Sequence, residues 1–196
     1  MILKILRRIY LGVFCGGLTG AATTIFLYLL EWATQARTYN PNLLWGLPFA
    51  GLLIGWLYQR SGVNLIIEEI HQKSKHIPFH LAPLIMFSTV ITHLFGGSAG
   101  REGTAIQMGT VLSEQLTRFF KISADERRNL LLAGAGAGFG SAIGTPWAGM
   151  IFAIEFVKKG WSPYSAWLES AISSFVAYGI TILLQAPHSV FQKITE

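Results

Sequence analysis

Residues 10–30 carry no charged side chain, and this twenty-one-residue run constrains the chain more than any other feature. As an α-helix rising about 1.5 Å per residue it is roughly 31 Å long, the thickness of the hydrocarbon layer of a bilayer. The rest of the chain agrees with a membrane span. Hydrophobic residues make up 52% of the sequence and charged ones 13%, which marks an integral membrane protein rather than a soluble core. Lys4, Arg7 and Arg8 stand immediately before the run, so the positive-inside rule puts the N-terminus in the cytoplasm. The excess of Lys and Arg therefore reads as topology, with no nucleic acid as partner. A secretory signal is excluded because its apolar core would be only about 7–15 residues long. The single cysteine, Cys15, cannot form an intrachain disulfide.

Residues 35–42 are polar and contain Pro41, which predicts a loop. Residues 43–58, with Pro48 near their start, form a second apolar stretch and complete a helical hairpin with the first. Residues 59–64 break it. The run 65–70 is too short to cross a bilayer and reads as a half-helix with Ser61 and Gly62 at its N-terminus, Ser61 serving either as an ordinary N-cap or as part of a site. Glu68, Glu69, His71, Lys73, Lys75 and His76 then form a polar cluster. The spacing of His71, His76 and His80 matches no zinc motif and HExxH is absent, so no metal is expected.

Residues 83–95 lead into the centre of the chain and a helical pattern resumes at Ala105. Between them lies a stretch with five glycines, from Gly96 to Gly109, that holds Arg101 and Glu102. The expected structure is a break between two helices, with the N–H groups of Gly103, Thr104 and Ala105 pointing into it. A helix N-terminus there attracts an anion, and Glu102 competes with it as an internal one. The alternative is a glycine-rich loop exposed between membrane helices. Glu114 falls on the surface of the outgoing helix.

Residues 121–129 are a charged connector suited to a helix start at the membrane surface. Residues 130–143 carry Gly134, Gly136, Gly138 and Gly140, which let membrane helices pack with backbones nearly in contact; a phosphate-cradling reading fails because GxxxxGK[ST] is missing. Pro146 restarts a helix after Thr145. Glu155 would cost about 2.5–3.5 kcal/mol facing lipid, so it either snorkels with Lys158 and Lys159 or lines an aqueous path. Residues 165–184 make a last span with Glu169 near its start, and a short polar tail follows. Residues 1–196 thus read as one transmembrane domain. Short glycine-interrupted segments among full-length spans point to a solute site built from discontinuous helices near the midplane, here at Ser61 and Glu102.

These residues resemble the CLC family of chloride channels and anion/proton exchangers. Gly100-Arg101-Glu102-Gly103, followed by Gln107 and Gly109, is similar to its GREGP-xxQ-x-G signature. A second block runs from Ala137-Gly138-Phe139 through Thr145-Pro146-Trp147-Ala148-Gly149 to Phe152 and Glu155. The resemblance implies an all-α polytopic fold with tilted and discontinuous helices, corresponding to the N-terminal half of an inverted repeat whose C-terminal half is absent. It also implies chloride or fluoride and protons as transported ions, in a bacterial inner membrane, without a cofactor. Glu102 would be the gating glutamate. Ser61, Gly62, Gly100, Arg101, Gly103 and Thr104 would line the anion path, and Glu155 would lie by a proton or water path. The chain would pair with itself as a homodimer or with a separate C-terminal half. Four positions depart from the family pattern: Arg60 replaces a glycine, Asn64 and Thr104 replace prolines, and Phe156 stands where many exchangers carry an inner proton-transfer glutamate. The GREGT form is similar to the fluoride-exporting subgroup. Two other functions compete: a membrane-embedded enzyme using the carboxylates, which the scattered polar side chains support weakly, and a non-transporting half that only assists assembly.

Overall fold

A computed structural model describes residues 2–61, 76–120, 122–155 and 163–188. Helix α1, Ile2–Tyr39, is 38 residues long and, among the described residues, is the one helix long and apolar enough by itself to cross a membrane. It continues through residues 35–39, where a loop was expected. Polarity does not stop a helix: the Gln35 amide donates to Glu31 and the Thr38 hydroxyl to the Thr34 carbonyl, both one turn back. The stop comes at Pro41, which opens a 3₁₀ turn, Pro41–Gly46. Helix α2, Leu47–Ser61, follows. The expected hairpin does not form among the described residues, because α2 leans on α3 (Leu81–Leu94) and on the 3₁₀ turn rather than along α1. Phe49, Leu52 and Trp56 consequently stand exposed on α2.

The remaining elements are α4 (Arg101–Phe119), α5 (Ala124–Ile143), α6 (Pro146–Glu155), a 3₁₀ turn (Pro163–Ala166) and α7 (Trp167–Leu183). Helix α5 is the spine, packed against α1, α4, α6 and α7 and buried at nearly every residue from Asn129 to Ala142. Small residues make this possible. A Cβ on Gly138 would strike the Ala105 carbonyl of α4, one on Gly134 the Gly109 carbonyl of the same helix, and one on Gly136 the Gly149 carbonyl of α6. Lipid gives no hydrophobic drive between helices, so close backbone approach supplies the attraction instead. On the far side α1 lies against α7 in the same manner, with Gly20 facing Ala177.

Charged pairs gather the N-terminal ends of three helices on one side. Arg8 grips Glu169 of α7 through two hydrogen bonds, and its Nη2 also donates to the Ser165 carbonyl at 2.6 Å. Arg7 pairs with Glu126 of α5 at 3.5 Å. Ser123 and Glu126 form a reciprocal capping box that starts α5, so the charged connector does begin a helix. The first turn of α4 lies at the other end, where Arg101 shares a cavity with Leu27, Glu31, Thr34 and Gln35 of α1. Arg8 and Glu31 are roughly 35 Å apart along α1 at about 1.5 Å per residue, close to a bilayer's width.

Candidate functional site

The break before α4 is made by three glycines with distinct tasks. Gly96 adopts φ +82°, in the left-handed region, and donates its N–H to the His93 carbonyl, so it turns the chain out of α3. A Cβ on Gly97 would lie 2.7 Å from the Thr92 methyl. Gly100 is the N-cap of α4, with φ −69° and ψ 117°, and no side chain caps the helix. Arg101 and Glu102 form its first turn.

The helix therefore begins four residues before Ala105. Nothing between Gly100 and Ala105 forbids helical backbone, and Gly103 alone does not stop it. The exposed first-turn N–H groups are consequently those of Arg101, Glu102 and Gly103; Thr104 already donates its N–H to the Gly100 carbonyl at 3.4 Å. A Cβ on Gly103 would meet nothing within 4 Å, and one on Gly100 only the Glu102 Oε2 at 3.7 Å, so open space surrounds this helix end. The Glu102 side chain is 41% exposed and accepts from Arg101 Nε at 3.3 Å. Thr104 is turned the other way, buried, with its hydroxyl 2.6 Å from that of Thr89 on α3.

Ser61 is the last residue of α2 and its hydroxyl donates to the Tyr58 carbonyl at 3.1 Å. Gly62 and the expected half-helix over residues 65–70 lie outside the described residues, as do His71, Phe156, Lys158 and Lys159. No hydrogen bond joins Ser61 to the first turn of α4 among the described residues. Glu155 is exposed at the end of the ten-residue helix α6. A cavity of about 360 Å³, lined in part by His93, Arg101, Glu31 and His188, opens beside the first turn of α4. His188 closes the end of α5 by donating Nε2–H to the Ser141 carbonyl at 2.8 Å.

One expectation is reversed. Glu114 is fully buried rather than on the surface of α4: Arg127 of α5 donates to its Oε2 at 2.8 Å, and His76 Nδ1 lies 2.6 Å from its Oε1. Thr110 and Val111, one turn back from Glu114, are buried with it, a placement set by partners on other elements rather than announced by a pattern within α4.

Helices that cross with backbones in contact at Gly109, Gly134, Gly136 and Gly138, together with the long apolar helix α1, mark a helical membrane protein. Residues 49–195 match the family described as voltage gated chloride channel, and the chain belongs to that family. It is 43% identical over 166 residues to a chloride/fluoride channel protein of Pseudomonas syringae pv. tomato, covering 82% of this chain and 37% of that protein. It is 26% identical over 174 residues to the H(+)/Cl(-) exchange transporter ClcA of Vibrio vulnificus, covering 76% of this chain and 36% of the relative. Its fold matches the crystal structure of a CLC-type fluoride/proton antiporter with a TM-score of 0.85 at 30% identity, over 99% of this chain and 52% of that one. The chain thus spans between a third and about half of the length of these relatives, and its all-α architecture is that of one half of the CLC fold.

Proposed function

We propose that the chain forms one wall of a pathway that moves a small halide, chloride or fluoride, across a bacterial inner membrane, and that Glu102 is its gate. The observation that carries this reading is the uncapped N-terminus of α4, open at Gly100 and Gly103, with a carboxylate in its first turn. The end of a helix bears roughly +0.5 charge and presents N–H groups to an anion. Ionised, Glu102 occupies that place itself; protonated, it loses its charge and yields to the halide, which ties transport to pH. Gly100, Arg101 and Gly103 supply the anion-facing backbone, Ser61 and Gly62 are further residues of the anion path, and Glu155 borders a proton or water path. Thr104 acts from behind, by fixing α4 to α3. The relatives named as chloride/fluoride channel and proton exchanger support the substrate class. The N-terminus faces the cytoplasm, and the opposing wall comes from a second copy or a separate chain.

Glu102→Gln mimics the protonated gate. In liposomes holding the complete assembly, this variant should conduct halide without pH dependence and without coupled proton movement. Asp125→Asn, at a side chain 73% exposed, should match the wild type. Wild-type proton coupling in Glu102→Gln removes the gating role. A wild-type assembly that moves neither chloride nor fluoride supports a non-transporting half instead.

A further inference from the structure

Helix α4 carries an acid toward each end. Glu102 and Glu114 are separated by roughly 18 Å at about 1.5 Å per residue, and their surroundings are opposite. Glu102 is partly exposed. Glu114 has no exposed side-chain surface, and each of its oxygens has a cationic or titratable partner. A carboxylate inside a membrane helix needs a compensating charge, and Arg127 at 2.8 Å provides one. His76 is not needed for that purpose, yet its Nδ1 lies 2.6 Å from Oε1 while its side chain remains 68% exposed. Of the two partners, His76 is the more accessible, since Arg127 is only 14% exposed.

We propose that His76 and Glu114 form a proton port on the side of the molecule opposite Glu102. With Nδ1–H on Glu114, the ring turns Nε2 away from the carboxylate. A proton taken from water at Nε2 and the Nδ1 proton passed to Oε1 leave a neutral imidazole and a neutral carboxylic acid, with one proton carried inward and nothing else consumed. Loss of that proton from Glu114 toward the interior, followed by return of the ring to its first tautomer, resets the port. Sidedness follows from Arg127, which stands in the first turn of α5 beside Glu126, at the end held by Arg7. Among the described residues, the charged groups that meet the port are Glu114 from α4 and Arg127 from α5; Arg7 and Arg8 of α1 are engaged with Glu126 and Glu169. The port's use in transport rests on the function proposed above, whereas its proton binding does not.

His76→Gln keeps a donor for Glu114 but cannot relay a proton. In liposomes holding the complete assembly, it should leave halide uptake near the wild-type rate and slow coupled proton movement by about a hundredfold, the lower end of what a positioned proton-transfer group contributes. Imidazole added on the N-terminal side should restore proton movement to His76→Gly. Proton movement at the wild-type rate in His76→Gln overturns the port and leaves the Glu102 gate standing. If the wild-type assembly moves no protons, the exchanger reading fails and the decision passes to nitrogen NMR of the His76 ring, in this chain held in lipid nanodiscs. A ring held with its Nδ1 proton on the carboxylate, and released from that tautomer in Glu114→Gln, then supports the port, and a tautomer unchanged by Glu114→Gln overturns it.

Discussion

The α1–α7 contact offers a test in which two neighbouring glycines should give opposite results. A Cβ on Gly16 would lie 2.5 Å from the Ser173 carbonyl oxygen, 2.8 Å from Val176 Cβ and 2.9 Å from Ser173 Cα. Two of these three atoms are backbone, so no rotamer change relieves the clash, and the shortest contact falls 0.9 Å below the 3.4 Å at which ordinary contact begins. Gly17, one residue on, has nothing within 4 Å of the same atom. Alanine raises helix propensity by about 1 kcal/mol over glycine at either site, so that term cancels between the variants. What remains is the overpacking at Gly16, about 1–3 kcal/mol. The helices cannot simply separate, because Arg8 and Glu169 clamp them about two turns away. Thermal unfolding in detergent should therefore place the Gly16→Ala midpoint below that of Gly17→Ala, at about 2–4 °C per kcal/mol for a chain of this size. Equal midpoints, or a more stable Gly16→Ala, would refute the claim that backbone contact holds α1 to α7.

Two further predictions concern the charged end. Glu169→Ala should lower stability toward the lower end of the about 3–5 kcal/mol expected for a broken buried pair, because Arg8 keeps 30% of its side chain in solvent; denaturant midpoints measure this, and the loss should shrink when Arg8 is removed as well. Glu126, in the connector outside the apolar segments, has its carboxyl held below the ordinary carboxylate range, first by the Ser123 backbone N–H and then by the Ser123 hydroxyl, Arg7 and Lys4, against an opposing desolvation effect. A depressed folded value means that its stabilisation is full above the unfolded value of about 4.3 and is lost as pH falls through the folded one. Glu126→Gln should thus flatten the acid limb of stability against pH, and an unchanged limb would contradict the capping box as its source.

What could be read from the sequence was whatever depends on local order. The uncharged run of α1, Pro146 at the head of α6, the glycine ladder of α5 and the break before Glu102 all follow from residues close together in the chain. The capping box at Ser123 and Glu126 was equally local and was seen only as a favourable charge pattern. The misplacement of Glu114 has a non-local cause. Its partners Arg127 and His76 arrive from 13 and 38 residues away, as Arg8 arrives at Glu169 from 161. No periodicity in a single segment announces such a partner. The loop expected at residues 35–42 differs in cause: polar residues continue the helix through Tyr39, and only Pro41 stops it.

The distribution of restraints along α4 bears on how a gate at Glu102 can work. Behind its first turn the helix is fixed: Thr104 is hydrogen-bonded to Thr89, Ala105 lies against Gly138, Gly109 against Gly134, and Glu114 is bound to Arg127. Moving α4 would break several of these contacts together, and close-packed interfaces do not deform by degrees. Glu102 has no such restraint. Its ion pair is with the adjacent Arg101 at 3.3 Å and partly in solvent, the kind of pair that contributes about 0–1 kcal/mol. In the proposed mechanism the gate therefore opens by rotation of one side chain about a stationary helix end, and the N–H groups that greet the anion are in place before the carboxylate leaves.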